Sequence, residues 1–150
     1  MDWCHYRFRS LWRLPAKPAE VYQVLERAHE YPAWWPQVRE VTRLDERTGT
    51  VRFRSLLPYD LVVTARESKR DPVAGLLEIA MTGDLDGWAR WTLVAAPDAT
   101  GTHALYEQEV EVCKPLMRRF AVPCRPAFRF NHALMMRGGR LGLLGLLETV

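Results

Sequence analysis

Alternation of apolar and polar residues runs through most of the first 112 positions. Tyr6, Phe8 and Trp12 alternate with arginines between Tyr6 and Leu14, which is typical of a strand with one buried face. Glycine, proline and aspartate separate the later runs and favour turns. The connections are short, so we expect an antiparallel meander. The pattern predicts six further strands, at Val38–Asp45, Thr50–Leu57, Tyr59–Lys69, Leu76–Thr82, Trp88–Ala95 and Thr102–Val112.

Two short helices are predicted after the first strand. Pro18 suits a first helical turn, and apolar residues follow it at helical spacing as far as Ala28. A second helix is predicted at Glu30–Pro36, which includes Trp34 and Trp35. Tryptophan carries a large apolar area, so we expect at least one of the two to be buried.

The end of the chain is predicted to be a long helix at Pro126–Leu147, after a turn or two of helix within Lys114–Arg125. On a helical wheel one broad arc is apolar, and we expect it to be buried. This arc holds Ala127, Phe128, Phe130, Leu134, Met135, Leu141 and Leu146, whereas Arg129, His132, Met136 and Arg140 point the other way.

For four residues on this helix, the sequence allows more than one structural interpretation. Gly138, Gly142 and Gly145 either allow close packing against a sheet or leave room for a ligand, and each disfavours a helix interior. Asn131 lies within the predicted buried arc. Its amide is expected to bond Gln108 or Tyr106, a buried water or a ligand, because an unsatisfied amide costs about 1–3 kcal/mol.

Composition describes an ordinary globular chain. The 150 residues, 48% of them apolar, have a net charge of +3 with scattered arginines, so we expect a single domain over residues 1–150 and no nucleic-acid partner. The longest apolar run is too short for a transmembrane segment, the first residues lack a signal peptide, and the three cysteines form no CxxC pair. A cytoplasmic location with reduced thiols is expected, and no pattern indicates an oligomeric state.

The predicted order is strand, two short helices, six strands and one long helix, an α+β arrangement. With the stretches PAKPAEVYQVLERAHEYPAWWPQVREV, GWARWTL, GTHALYEQEV and FNHALMMRGG, the sequence resembles the polyketide cyclase/dehydrase and lipid-transport branch of the START-like (SRPBCC) superfamily. The resemblance covers nearly the whole chain. It implies the helix-grip fold, in which a curved seven-stranded antiparallel sheet wraps around the C-terminal helix with a deep apolar cavity between them. It also implies that the first and last strands pair antiparallel, so that Arg7, Arg9 and Arg13 lie across from or diagonal to Glu107, Glu109 and Glu111.

No motif identifies a catalytic or metal site. The four histidines are far apart without metal-ligand spacing, so no metal and no cofactor are predicted, and no nucleophile has a recognisable base nearby. Tyr106 is a candidate donor to a ketone or enolate oxygen. Arg90 would be a second one if its strand turned it inward, but its alternation with Trp91 favours an outward position. The catalytic residues stay unknown.

The predicted ligand site is the inward face of the sheet together with the long helix. Alternation places Phe53, Ser55 and Leu77 among its inward residues, and aromatic walls with few polar groups suit an apolar ligand. The polar members either contact a ligand or bond one another as a satisfied polar core. The predicted ligand-binding residues are Trp35, Phe53, Leu61, Val63, Ile79, Trp91, Tyr106, Gln108, Asn131, Leu134 and Met135.

Three functions follow from this site. The first is a carrier or sensor of a small apolar molecule such as a lipid, a quinone or a polyketide-like compound. The second is an enzyme that cyclises, aromatises or dehydrates such a molecule. The third is a module that acts through protein contacts, for which a large exposed apolar patch would be the sign.

Overall fold

The computed structural model describes residues 4–54, 60–98, 100–113 and 121–148, with side chains from residue 125 onward in the last range. A single sheet of seven antiparallel strands has the order β1-β7-β6-β5-β4-β3-β2. This confirms the predicted helix-grip fold. The strands are β1 (His5–Leu14), β2 (Val38–Arg43), β3 (Thr48–Phe53), β4 (Leu61–Asp71), β5 (Leu76–Gly83), β6 (Leu85–Ala95) and β7 (Thr102–Val112).

Strands β1 and β7 pair along their whole length, as the resemblance implied. Arg7 lies opposite Glu109 and Arg9 opposite Glu107, whereas Arg13 lies opposite His103. Arg7 Nη2 is 3.1 Å from Glu109 Oε2. Side chains of β7 alternate without interruption between buried and half-buried, because one face of the strand lies against the core.

The predicted turn at Gly83–Gly87 is shorter than expected, since β6 begins at Leu85 rather than Trp88. Gly87 explains this difference. Its φ is 154°, and a side chain there would overlap the Glu109 carbonyl oxygen. Glycine therefore lets β6 approach β7 closely and extends the strand where the sequence indicated a turn.

Both short helices contact the sheet, the first at β6 and the second at β2. Helix α1 (Pro18–Glu26) is fixed by Tyr22, whose hydroxyl donates to the Leu76 carbonyl at 3.3 Å. The second is a 3₁₀ helix at Ala28–Ala33 rather than Glu30–Pro36. Trp34 and Trp35 follow it and are 8% and 4% exposed, so both are buried where at least one was predicted to be.

The C-terminal helix, α2 (Ala121–Glu148), begins before Pro126, which lies inside it. The short helix predicted within Lys114–Arg125 falls partly outside the described residues. The buried side of α2 also differs from the prediction, since Phe130 and Leu141 are 59% and 50% exposed while Met136 is 4% exposed. Ala127 is exposed too, and His132 is half-buried rather than outward.

The glycines help to explain why the buried side of α2 differs from the predicted side. A side chain at Gly138 would overlap the Gln37 amide, and one at Gly142 would overlap the Trp34 carbonyl. Close packing therefore decides between the two alternatives at Gly142, where a larger residue would collide with backbone rather than fill ligand space, whereas the neighbour of Gly138 is the movable end of a side chain. Gly145 differs, because nothing lies within 4 Å of a side chain built there.

Candidate functional site

A cavity of about 460 Å³ lies between the concave face of the sheet and α2. It is lined by residues from all seven strands, by Trp35 after the 3₁₀ helix, and by residues of α2. The predicted site residues that line it are Trp35, Phe53, Leu61, Ile79, Trp91, Tyr106, Gln108, Asn131 and Met135. Their contact with a ligand stays a prediction.

Two predicted site residues do not line this cavity. Val63 is 1% exposed and belongs to the packed core. Leu134 is half-buried, on the side of α2 that also carries the exposed Phe130 and Leu141. Ser55 lies outside the described residues.

Aromatic rings form much of the cavity wall. Phe8 stacks on Tyr6, with ring centroids 5.7 Å apart, and on His132 at 3.6 Å and an interplanar angle of 6°. Trp91 lies 4.9 Å from Tyr106 across β6 and β7. Such contacts contribute about 0.5–1.5 kcal/mol each beyond area burial, and they hold the rings in fixed orientations.

A polar cluster, formed by Tyr106, Gln108 and His132, interrupts this apolar wall. Gln108 Oε1 is 2.8 Å from the Tyr106 hydroxyl and 2.9 Å from His132 Nε2. An amide oxygen only accepts hydrogen bonds, so both neighbours donate to it. Gln108 is 4% exposed, and the two bonds satisfy its oxygen.

Burial determines the charge of His132, and the bond to Gln108 determines which ring nitrogen carries the proton. Burial lowers its pKa from 6.5 to about 4, so the imidazole is neutral near pH 7. Because Nε2 carries the proton that Gln108 accepts, Nδ1 is unprotonated and can accept. Among the described residues, none hydrogen-bonds to Nδ1.

The hydroxyl of Tyr106, a candidate donor to a ligand, already donates within the protein. Its hydroxyl proton is directed to Gln108, and burial raises its pKa. Donation to a ketone or enolate oxygen would require that this bond break. Arg90, the other candidate donor, is held by Glu78, with Arg90 Nη2 2.6 Å from Glu78 Oε1.

Asn131 lines the cavity next to His132 and is half-buried. Gln108 Oε1 accepts from Tyr106 and His132, and the bond expected for Asn131, to Gln108 or Tyr106, a buried water or a ligand, stays a prediction. His132 is the polar residue that sequence reasoning missed. The signal that could have found it is the position of the glycines, since Gly139 lies seven residues along the same helix face and packs on Trp35.

The charged and mostly exposed part of the lining, here called the mouth, consists of residues 26–29, 43, 45–49, Lys69 and Arg70. Glu26 Oε2 and Arg70 Nη2 are 2.6 Å apart there, and this bond raises the pKa of Arg70. Asp45, Glu46 and Glu67 line the cavity together with Arg27, Arg43 and Arg47. Both signs of charge are present, so the mouth has no dominant sign.

Other site types find no support in the described part of the chain. No three histidine, cysteine, aspartate or glutamate side chains are grouped to hold a metal ion among these residues. Within the same ranges, no helix has the length and apolar character needed to cross a membrane.

Comparison with known proteins identifies the family. The model of the family described as polyketide cyclase/dehydrase and lipid transport matches residues 14–135. The chain belongs to this family, within the START-like (SRPBCC) superfamily. No curated protein matches the sequence.

Solved structures share the fold at low identity. A START superfamily protein from Mycobacterium smegmatis is 13% identical, with a TM-score of 0.76 over 95% of this chain and 97% of that one. The Zhui aromatase/cyclase from Streptomyces sp. R1128 is 14% identical, with a TM-score of 0.75 over 96% of this chain and 94% of that one. At such identities the likeness concerns the fold.

Proposed function

We propose that the protein binds a small apolar molecule, such as a lipid, a quinone or a polyketide-like compound, in this cavity and acts as its carrier or sensor. The observation that supports this proposal is the cavity of about 460 Å³ with aromatic walls and one polar cluster. Sites for small molecules have volumes of roughly 300–1,000 Å³, apolar linings and few polar groups.

The walls and the cluster would contribute differently to binding. Burying about 200 Å² of a ligand's apolar surface contributes roughly 5 kcal/mol at about 25 cal/mol per Å². A neutral hydrogen bond contributes about 1 kcal/mol. The walls would therefore supply most of the affinity, and the polar cluster would orient the ligand.

Native mass spectrometry of protein purified from its own host tests the proposal directly. We expect a retained small molecule, and the emptied protein should bind anilinonaphthalene sulfonate with a defined stoichiometry. Ala89 lines the cavity and is 5% exposed, so Ala89→Phe should fill the cavity and weaken dye binding. Ala80 is exposed, and Ala80→Phe is the matched control. Equal dye binding by both variants would contradict the proposal.

A second candidate function is cyclisation, aromatisation or dehydration of a polyketide-like substrate in the same cavity. Two observations favour it, namely the family description and the neutral imidazole of His132 in the cavity wall, since histidine often serves as a general base. Dehydration removes one water from the substrate. Chromatography and NMR of the retained molecule after incubation with the protein, together with its mass, separate the two functions. Cyclisation changes its structure at constant mass and dehydration removes one water, whereas a carrier leaves both structure and mass unchanged.

A further inference from the structure

The hydrogen bonds within the polar cluster limit which ligand groups can hydrogen-bond to His132. Gln108 Oε1 accepts from both Tyr106 and His132, so the protons of the phenol and the imidazole are already used. The remaining capacity of the imidazole is the lone pair on Nδ1, which accepts. A ligand that donates a proton satisfies this atom, whereas a ketone or an ether cannot.

The surrounding rings fix the direction of that lone pair. Phe8 stacks on the imidazole at 3.6 Å and 6°, and the ring of Tyr106 lies 6.2 Å away at 29°. With Nε2 bonded to Gln108, rotation of His132 would break both a stack and a hydrogen bond. The acceptor is therefore preorganised, and the aromatic walls beside it, Trp91 and Tyr106, suit a flat ring.

We propose that the cavity selects molecules in which an aromatic ring carries a hydroxyl group, and that this phenolic hydroxyl donates to His132 Nδ1. The proposal rests on the proposed binding function and specifies its ligand class. It assigns to His132 the role of distinguishing a hydroxyl from the corresponding ether or ketone. The apolar walls bind each of these compounds alike.

A matched pair of probes tests this role. 2-Naphthol and 2-methoxynaphthalene share the ring system, but only the first has a proton to donate. We expect the native protein to bind 2-naphthol about three- to tenfold more tightly, which is the size of one neutral hydrogen bond. Isothermal titration or competition with a bound dye measures both affinities.

Two variants locate the source of the preference. His132→Phe keeps an aromatic ring against Phe8 but removes both nitrogens, so the preference should fall to within about twofold while 2-methoxynaphthalene still binds. His103, on the outward face of β7, provides the control variant His103→Phe, which should keep the full preference.

The outcomes separate this inference from the function on which it rests. If neither probe binds the native protein, the proposed function and the inference both fail. If both probes bind with equal affinity, or if His132→Phe keeps the preference, the hydroxyl role alone is wrong and apolar binding stands.

A measurement on the native protein covers the case in which His132→Phe does not fold. Nitrogen-15 NMR of the His132 ring should show a protonated Nε2 and an unprotonated Nδ1. Bound 2-naphthol should shift the Nδ1 resonance toward its hydrogen-bonded value, and bound 2-methoxynaphthalene should not. An identical Nδ1 resonance with both probes bound would overturn the inference.

Discussion

Polar side chains occur in two regions of the cavity, the polar cluster in its wall and the charged mouth, and the two regions differ in exposure. Gln108 in the cluster is 4% exposed, whereas the Arg70 side chain at the mouth is 53% exposed. Away from water, each donor and acceptor must find a partner within the protein or a ligand. At the mouth, water and salt replace a lost partner. A few neutral groups in the wall should therefore affect stability and selectivity more than the many charges at the mouth.

The largest effect is expected from Gln108→Leu. This change leaves the Tyr106 hydroxyl and the His132 Nε2–H without their acceptor, and each orphaned group costs about 1–3 kcal/mol. We expect the free energy of unfolding, measured with urea, to fall by about 2–5 kcal/mol. The neighbouring outward residue gives the control, since Glu107→Leu should change it by under about 1 kcal/mol. Equal losses in the two variants would show that burial does not separate the two faces of β7.

The next largest effect is expected on the pH dependence of stability, to which His132 contributes. Its folded pKa of about 4 lies below the ordinary value of 6.5, so between these values the unfolded chain binds a proton that the folded protein does not. Stability is therefore full above about pH 6.5 and falls as the pH drops toward 4, by up to about 3 kcal/mol. Urea titrations of the native protein and His132→Phe from pH 7 to 5 measure the difference. Parallel curves for the two proteins would contradict a neutral, buried imidazole.

A smaller effect is expected at the mouth. Glu26→Gln removes the partner of Arg70, which is 2.6 Å away, but the pair is largely exposed on the arginine side. The loss in stability should be about 0.2–1 kcal/mol and should shrink as salt is raised. Thermal melts at low and high sodium chloride measure it. A loss as large as that of Gln108→Leu, unchanged by salt, would remove the distinction between the two regions.

The smallest effect is expected on the outward face of β1 and β7. Hydrogen bonds from Arg7 lower the pKa of Glu109, and His5 contributes to the same shift. Arg7 is exposed and Glu109 is half-buried, so Glu109→Lys should leave the melting temperature nearly unchanged at physiological salt. An amide-exchange experiment should show the β1–β7 register intact. Loss of exchange protection in β1 would mean that this pair determines the register.

The long helix shows where sequence reasoning reached its limit. The sequence predicts its existence, and Phe128 and Met135 were placed toward the core. Phe130 and Leu141 were also placed there, although they are exposed, because apolar residues occur on both sides of α2 and weaken the amphipathic contrast. The glycines that approach Trp34 and Trp35 identify the buried side, and this signal depends on knowing what the helix packs against.

The sequence by itself determined the features that follow from local periodicity and turn chemistry, namely the seven strands, the short helices, the family and most of the inward side chains. The tertiary structure alone decided which side of α2 faces the sheet and what the polar residues do there. His132 and Gln108 lie 24 residues apart, on different elements. The proton position and charge state of His132 depend on this contact and on desolvation. Both arise only when the sheet and the helix are packed together, so no pattern along the chain contains them.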